Sequence, residues 1–381
     1  MSSNLKKVAI VGVAESDEIG IVPGKSALQH HAEAAFNALE DAGLTKNEVD
    51  GIFTAGVSTL TTAEYMGIYP KFTDNTNVGG SSFVIQLAHA LAAINAGYCE
   101  VALITHGETG RSSRWRSSSP DYNRPGSQYE MPYGIIGPPI TYSLSCSRYI
   151  HQYGEDRTRE AMAEIAVSTR KWAGLNPKAL KREPMNFEDY HNDRWITWPF
   201  HRADCCLVTD AGAAVVITSE KRALNLRKPP VSVLGAAEGH DHRMISQMPN
   251  LTSFIGKQTG KRALEMAGVT HNDIDLTMIY DSFTYTVLLS LEDLGFCSKG
   301  EGPDFVKGQR TAPGGDFPLN TNGGGLSYTH PGMYGIFLLV EAVRQLRGEA
   351  GARQIQSHNI ALVNGTGGSL SSTGTAILGI S

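Results

Sequence analysis

Apolar runs and amphipathic stretches alternate along the chain, and each pair predicts a strand followed by a helix. Val8 to Val13 is apolar except for Gly12, which predicts a buried central strand. Ala27 to Ala42 has apolar residues at helical spacing and stops at Gly43, a residue suited to a helix C-cap. Val49 to Ala55 predicts the next strand. Asn77-Val78-Gly79-Gly80-Ser81-Ser82 opens a helix over Phe83 to Ala96, closed by Gly97, and Val101 to Thr105 predicts another buried strand. Leu207 to Thr218 and Val231 to Ala237 resume strand character, and Phe283 to Leu294 reads as a helix with Asp281 as its expected N-cap. A second glycine-rich stretch, Asn322 to Gly335, delivers His330 to the start of a buried apolar helix over Ile336 to Val343. Glycines let such a loop take positive φ and approach a ligand closely. The free N–H groups of a helix start suit developing negative charge.

The alternation breaks between Gly107 and about Phe200. Residues 110 to 154 are rich in Arg, Ser, Pro, Gly and Tyr, and a helix is predicted from about Arg157 to Trp172. This block reads either as an insertion that covers a site and shapes substrate choice, or as a dimer-contact arm.

The chain also repeats itself. Ala38-Leu-Glu-Asp-Ala-Gly-Leu-Thr-Lys-Asn-Glu-Val-Asp matches Ala263-Leu-Glu-Met-Ala-Gly-Val-Thr-His-Asn-Asp-Ile-Asp, 225 positions later. The glycine-rich helix start at Asn77 leads to a helix and the strand Val101-Ala-Leu-Ile, and the one at Asn322 leads to a helix and the strand Ile360-Ala-Leu-Val. Two related α/β halves are therefore expected, residues 1–240 with the insertion at about 107–200, and residues 241–381. Such halves build mostly parallel sheets with helices on their faces, and sites lie beyond the carboxyl ends of strands. The stretches 280–285, 322–335 and 364–369 are the candidates.

Composition narrows the function classes. The 381 residues are 41% hydrophobic and 19% charged, ordinary values for a globular protein. The formal net charge is −5 with no long basic run, which argues against nucleic acid as the main partner. No signal peptide and no membrane span are evident, so a cytoplasmic location is expected. Cys99, Cys146, Cys205, Cys206 and Cys297 show no CxxC spacing, so reduced thiols and no metal site are expected, with Cys205-Cys206 reading as two buried small hydrophobes.

Four motifs resemble those of the thiolase superfamily, and the resemblance spans nearly the whole chain. Asn77-Val78-Gly79-Gly80-Ser81-Ser82 is similar to the family's helix start, Asn and two residues before the nucleophilic Cys. Tyr280-Asp281-Ser282-Phe283 stands for the family's Asn-Glu-Ala-Phe, or His-Asp-Cys-Phe in the sterol-carrier type. Thr329-His330-Pro331-Gly332 is similar to Gly-His-Pro-x-Gly, and Asn364-Gly365-Thr366-Gly367-Gly368 to the C-terminal Cys-x-Gly-Gly-Gly or Gly-x-Gly-Gly. The resemblance implies an α/β thiolase fold, duplicated βαβαβ halves packed in an αβαβα layered architecture.

The departures carry the chemistry. Position 80 is Gly where the nucleophile should be, position 282 is Ser and position 364 is Asn. Acyl transfer through a cysteine needs a thiolate, so that chemistry is absent from the motifs. What remains is equipment for an enolate. His330 matches the family's histidine at the thioester carbonyl, and amides near Gly80, Ser81 and Gly367 are oxyanion candidates. Retro-aldol cleavage of a β-hydroxyacyl-CoA needs only an acid–base pair and an oxyanion site. Tyr280 at a strand end, Tyr334 four residues after His330, and Tyr285 five after Tyr280 are the candidates beside His330. An unperturbed tyrosine titrates near 10, so one acting as base needs a lowered pKa or a relay through His330.

This set resembles the thiolase-like aldolases that remove steroid side chains as CoA thioesters. That resemblance implies no cofactor beyond the coenzyme A of the substrate, a homodimer core, and a small OB-fold and zinc-ribbon protein as partner in a heterotetramer. The rival readings are an acyltransferase with an atypical nucleophile, and a non-catalytic acyl-CoA- or lipid-binding subunit. Alkylation with iodoacetamide is expected to stop a cysteine-based transferase and to spare the lyase.

Overall fold

The computed structural model describes residues 7–113 and 126–380. Arg114 and Arg116 of the Arg-rich stretch lie outside the described residues. The strands are β1 (Val8–Glu15), β2 (Gly51–Phe53), β3 (Phe72–Asp74), β4 (Val101–Thr109), β5 (Trp195–Thr197), β6 (Phe200–His201), β7 (Asp210–Ser219), β8 (Val231–His240), β9 (Leu276–Ile279), β10 (Ile360–Gly367) and β11 (Ser372–Ile380). Nine of them form one mixed sheet in the order β3-β2-β4-β7-β1-β8-β11-β10-β9, and β5 and β6 pair separately.

The order reads outward from the centre in mirrored fashion. From β1 the strands run β7, β4, β2, β3; from β8 they run β11, β10, β9, and a parallel bridge from Thr277 to Leu319 stands where β3 stands in the first half. The seam is short, with only Ala9–Ser232 and Ile10–Val231 paired between β1 and β8.

The duplication extends to individual hydrogen bonds. Gly43 ends the helix Ala27–Ala42 at φ 71°, and Gly268 ends Gly256–Ala267 at φ 68°. In each case the next two N–H groups return to the last turn, Gly43 to Glu40 and Leu44 to Leu39, Gly268 to Glu265 and Val269 to Leu264. Thr45 with Glu48 and Thr270 with Asp273 then form matching capping boxes. The two outer helices also cross their strands at the same glycine. A Cβ on Gly12 would lie 2.0 Å from the Ala38 carbonyl oxygen, and one on Gly235 2.3 Å from that of Ala263.

The helices Ser82–Ala96 and Gly335–Leu346 touch each other and strands of both halves. They form a central layer, and the largest core cluster surrounds them, from Phe83 and Leu87 to Ile336, Leu339 and Val343. Helix Ala27–Ala42 covers the outer face of β1, β7 and β4, and helix Gly256–Ala267 covers the outer face of β8 and β11, each over its own cluster. The layers therefore run helix, strands, helices, strands, helix.

The insertion is more helical than its composition suggests. Pro138–Tyr153 is a helix as well as Glu155–Leu175. Pro138 and Pro139 occupy its first turn, where a missing N–H costs nothing. Residues 330 to 334 are not helical, and the helix begins only at Gly335.

Candidate active site

A cavity of about 390 Å³ opens between the two halves. Gly79 and Gly80 contribute the start of the central helix, Tyr280, Ser282 and Phe283 follow β9, and Thr366 to Gly368 close β10. His330 to Met333 form one wall, Cys205 to Val208 another, and Pro138, Pro139 and Tyr142 of the insertion complete the lining. Tyr142 donates to the Gly368 carbonyl at 3.1 Å, tying the insertion to the β10 loop.

Tyr280 and His330 meet inside this cavity. The phenol oxygen lies 2.8 Å from His330 Nε2 and accepts the Tyr334 N–H at 3.1 Å. Burial pushes the Tyr280 phenol well above its ordinary range, with Cys206 adding to the rise and the Tyr334 N–H opposing it. Burial pushes His330 down to about 4, against the Glu108 charge. At neutral pH both groups are uncharged, and a phenol donating to an unprotonated Nε2 while accepting the Tyr334 N–H satisfies each polar atom of the contact. The backbone of His330 is fixed by Thr209, whose hydroxyl accepts its N–H at 2.9 Å and whose N–H donates to its carbonyl at 3.2 Å.

Gly80 explains the missing nucleophile. A Cβ there would stand 2.2 Å from Tyr280 Cε2 and 2.6 Å from the phenol oxygen. The ring fills the space that a side chain at position 80 would need, so a cysteine at 80 and a tyrosine at 280 exclude each other. Gly367 lines the same cavity, while its far side packs on the Val78 carbonyl and Ser81.

The structure separates the other expected residues from the cavity. Ser81 does not line it. Its buried hydroxyl lies 2.6 Å from that of Ser372, which bonds the Val78 carbonyl at 2.9 Å, so it ties the helix start to β11. Tyr285 is fully buried under the insertion, 2.9 Å from the Ser145 hydroxyl with its ring edge-on to Tyr149. Helix Thr284–Asp293 begins between positions 280 and 285 and turns Tyr285 away. Tyr334 approaches His330 without a helical turn. Its ring lies nearly parallel to the imidazole with centroids 6.1 Å apart, and its hydroxyl donates to Asn322 Oδ1 at 2.9 Å. It meets Tyr280 through the backbone N–H and through an edge-on ring contact with centroids 5.7 Å apart. Asp281 is not a helix cap. It accepts the N–H groups of Gly325 at 2.7 Å and Leu326 at 3.2 Å, and burial pushes its carboxyl up to about 7.

Sequence reasoning missed Thr209 and Cys206, neither of which lies in a family motif. Cys205 and Cys206 border the cavity, and burial pushes the Cys205 thiol up to about 12 and the Cys206 thiol up as well. Alkylation at either position would itself obstruct the cavity, so iodoacetamide does not separate the rival chemistries. Among the described residues, no group of three or more His, Cys, Asp or Glu side chains is placed to hold a metal ion. None of the helices among them is long and apolar enough to cross a membrane.

Residues 237–380 match the family described as thiolase C-terminal domain-like. The chain is 34% identical to a steroid side-chain-cleaving aldolase of Thermomonospora curvata, over 94% of this chain and 95% of that one. It is 33% identical to a 17-hydroxy-3-oxo-4-pregnene-20-carboxyl-CoA lyase of Mycobacterium tuberculosis, over 95% and 97%. A solved structure of an Ltp2–ChsH2(DUF35) aldolase superposes with a TM-score of 0.90 at 32% identity, covering 98% of each chain.

Proposed function

The chain belongs to the thiolase superfamily, in the branch that holds the steroid side-chain-cleaving aldolases, and on that premise we propose that it is a carbon–carbon lyase acting on a β-hydroxyacyl-CoA. The single observation that carries the reading is the Tyr280 phenol, which occupies the nucleophile's place beside Gly80 and bonds His330.

The reaction needs no covalent intermediate. The β-hydroxyl of the substrate gives its proton to the Tyr280–His330 couple. The oxygen's electron pair forms the new carbonyl at Cβ, the Cα–Cβ bond breaks, and its electrons pass into the thioester enolate. The couple returns a proton to Cα, releasing a carbonyl compound and a shorter acyl-CoA. A buried neutral pair suits this relay, because the proton moves between uncharged partners and no lasting charge must be solvated. Backbone amides at Gly80 and Gly367 are the proposed donors to the enolate oxygen, a role worth roughly 10²–10³-fold in rate per donor. Tyr334 serves through its N–H, which steadies a developing phenolate on Tyr280.

The substrate is proposed to be a steroid side-chain CoA thioester. A mainly apolar cavity roofed by Pro138, Pro139 and Tyr142 favours a bulky hydrocarbon. The relatives' names supply the chemical class. A DUF35-type partner follows from the solved assembly to which the chain is similar. A second copy is proposed to pair at the open edge strand β3.

Cys206 in the cavity is the one observation that favours acyl transfer instead. Its raised pKa keeps it protonated and a poor nucleophile. The test is aldol cleavage of a β-hydroxyacyl-CoA, followed by detection of the carbonyl product, in the wild type and in Cys206→Ala. Cleavage retained in Cys206→Ala supports the lyase. Cleavage lost there, with an acyl-enzyme trapped on wild-type Cys206, supports the transferase.

A further inference from the structure

We propose that Glu108, at the end of β4, is a positioning residue that holds the His330–Met333 turn, and with it the His330 imidazole, against the cavity. The inference deepens the reading of Tyr280 and His330 as an acid–base couple and rests on it.

The contacts are direct. Glu108 Oε2 accepts the Met333 N–H at 3.0 Å. A Cβ on Gly332 would stand 2.2 Å from the same oxygen, so the carboxylate packs against the turn where only glycine leaves it room. His106 lies two residues earlier on the same face of the strand. It is fully buried, and its Nε2 is 3.3 Å from Glu108 Oε2. Neither ring nitrogen of His106 has an aligned hydrogen-bond partner. Glu108 is 29% exposed and reaches from this buried imidazole toward solvent.

The remaining charged and titratable groups around the turn leave this task to Glu108. From β7, Asp210 is taken up by the N–H groups of Val22, Arg111 and Ser112. From helix Ala27–Ala42, His31 faces His106 at 5.9 Å between ring centroids and is held neutral by burial. After β9, Tyr280 is the partner of His330 itself and Asp281 is taken up by the N–H groups of Gly325 and Leu326, and ahead of β7 Cys206 is a half-buried thiol. Glu108 is the charge that opposes the effect of burial on His330.

Three variants of the full chain separate reach from charge. Glu108→Ala removes both. It is expected to lower kcat by roughly 10²-fold, as a misplaced acid–base group does, with KM changed far less. Glu108→Asp keeps the charge but shortens the arm, so kcat falls while the acidic limb of the pH profile stays in place. Glu108→Gln keeps an acceptor for the Met333 N–H and removes the charge. Its plateau kcat stays within a few fold, while the acidic limb and the NMR titration of His330 both move to lower pH. The titration is read in ligand-free protein, so it does not depend on the reaction. An unshifted His330 titration in Glu108→Gln, or an unchanged kcat in Glu108→Ala with only thermal stability lost, overturns the proposal. A wild-type chain that cleaves no β-hydroxyacyl-CoA overturns the lyase reading instead and leaves the titration to judge Glu108. If Glu108→Ala does not fold, the isosteric Gln variant carries the test.

Discussion

The two glycine-rich helix starts, Asn77–Ser82 and Asn322–Gly335, are copies of one element with divided labour. Both lead into central helices, and they meet so closely that a Cβ on Gly335 would stand 2.2 Å from the Gly80 carbonyl oxygen. The first copy offers the cavity only Gly79 and Gly80, because the Ser81 hydroxyl is spent on Ser372 and that of Ser82 on the Gly79 carbonyl. The second carries His330 and, through Tyr334, the N–H that reaches Tyr280. A duplicated fold supplies two equivalent positions, and chemistry needs only one of them to bear side chains. The other serves by leaving space.

The largest effect should come from the side-chain copy. Tyr280→Phe removes the hydroxyl shared by His330 and Tyr334 and is expected to cut kcat by roughly 10²–10⁴-fold, the range of a lost acid–base group, while acyl-CoA binding persists. Steady-state kinetics beside a binding titration checks this, and a rate near wild type would remove Tyr280 from the mechanism. The space-giving copy is tested by Gly80→Ala. Its methyl must push the Tyr280 ring, and overpacking costs about 1–3 kcal/mol. The displaced phenol should lower kcat by roughly 10²-fold. Full activity would show that the ring does not need that seat.

A smaller effect lies at the foot of the second copy. Asp281 holds the Gly325 and Leu326 amides, and burial raises its carboxyl from 3.8 to about 7. Between those values the folded chain keeps a proton that the unfolded chain gives up. Its contribution to stability is therefore full below 3.8 and declines as pH rises to about 7. Tm measured against pH should show this decline in the wild type and lose it in Asp281→Asn. The smallest effect is expected at Tyr285. Tyr285→Phe gives up one buried hydrogen bond to Ser145, worth about 1 kcal/mol, and should leave kcat unchanged. A large loss of kcat would bring Tyr285 back into the site.

How far the sequence could be read follows the range of the interactions. The caps at Gly43 and Gly268 and the four motifs are local, and all were legible. So was the loss of the nucleophile at position 80. The partners that give residues their tasks were not, because they lie far away in the chain. Ser81 meets Ser372, Tyr285 meets Ser145, and Thr209 pins His330. The helical spacing assumed for His330 and Tyr334 failed because the chain straightens before Gly335. The helix Pro138–Tyr153 was hidden by its prolines, which composition reads as loop and a first helical turn accepts.

The overlap of Gly80 and Tyr280 also constrains ancestry. A cysteine-bearing ancestor could not have admitted the phenol ring while it kept its thiol, so position 80 had to shed its side chain before or together with the arrival of Tyr280. The same overlap blocks the return journey. Restoring cysteine at 80 alone collides with the ring, and removing the ring alone leaves His330 without its phenol partner and no cysteine at 80. One chemistry therefore replaces the other only when positions 80 and 280 change as a pair.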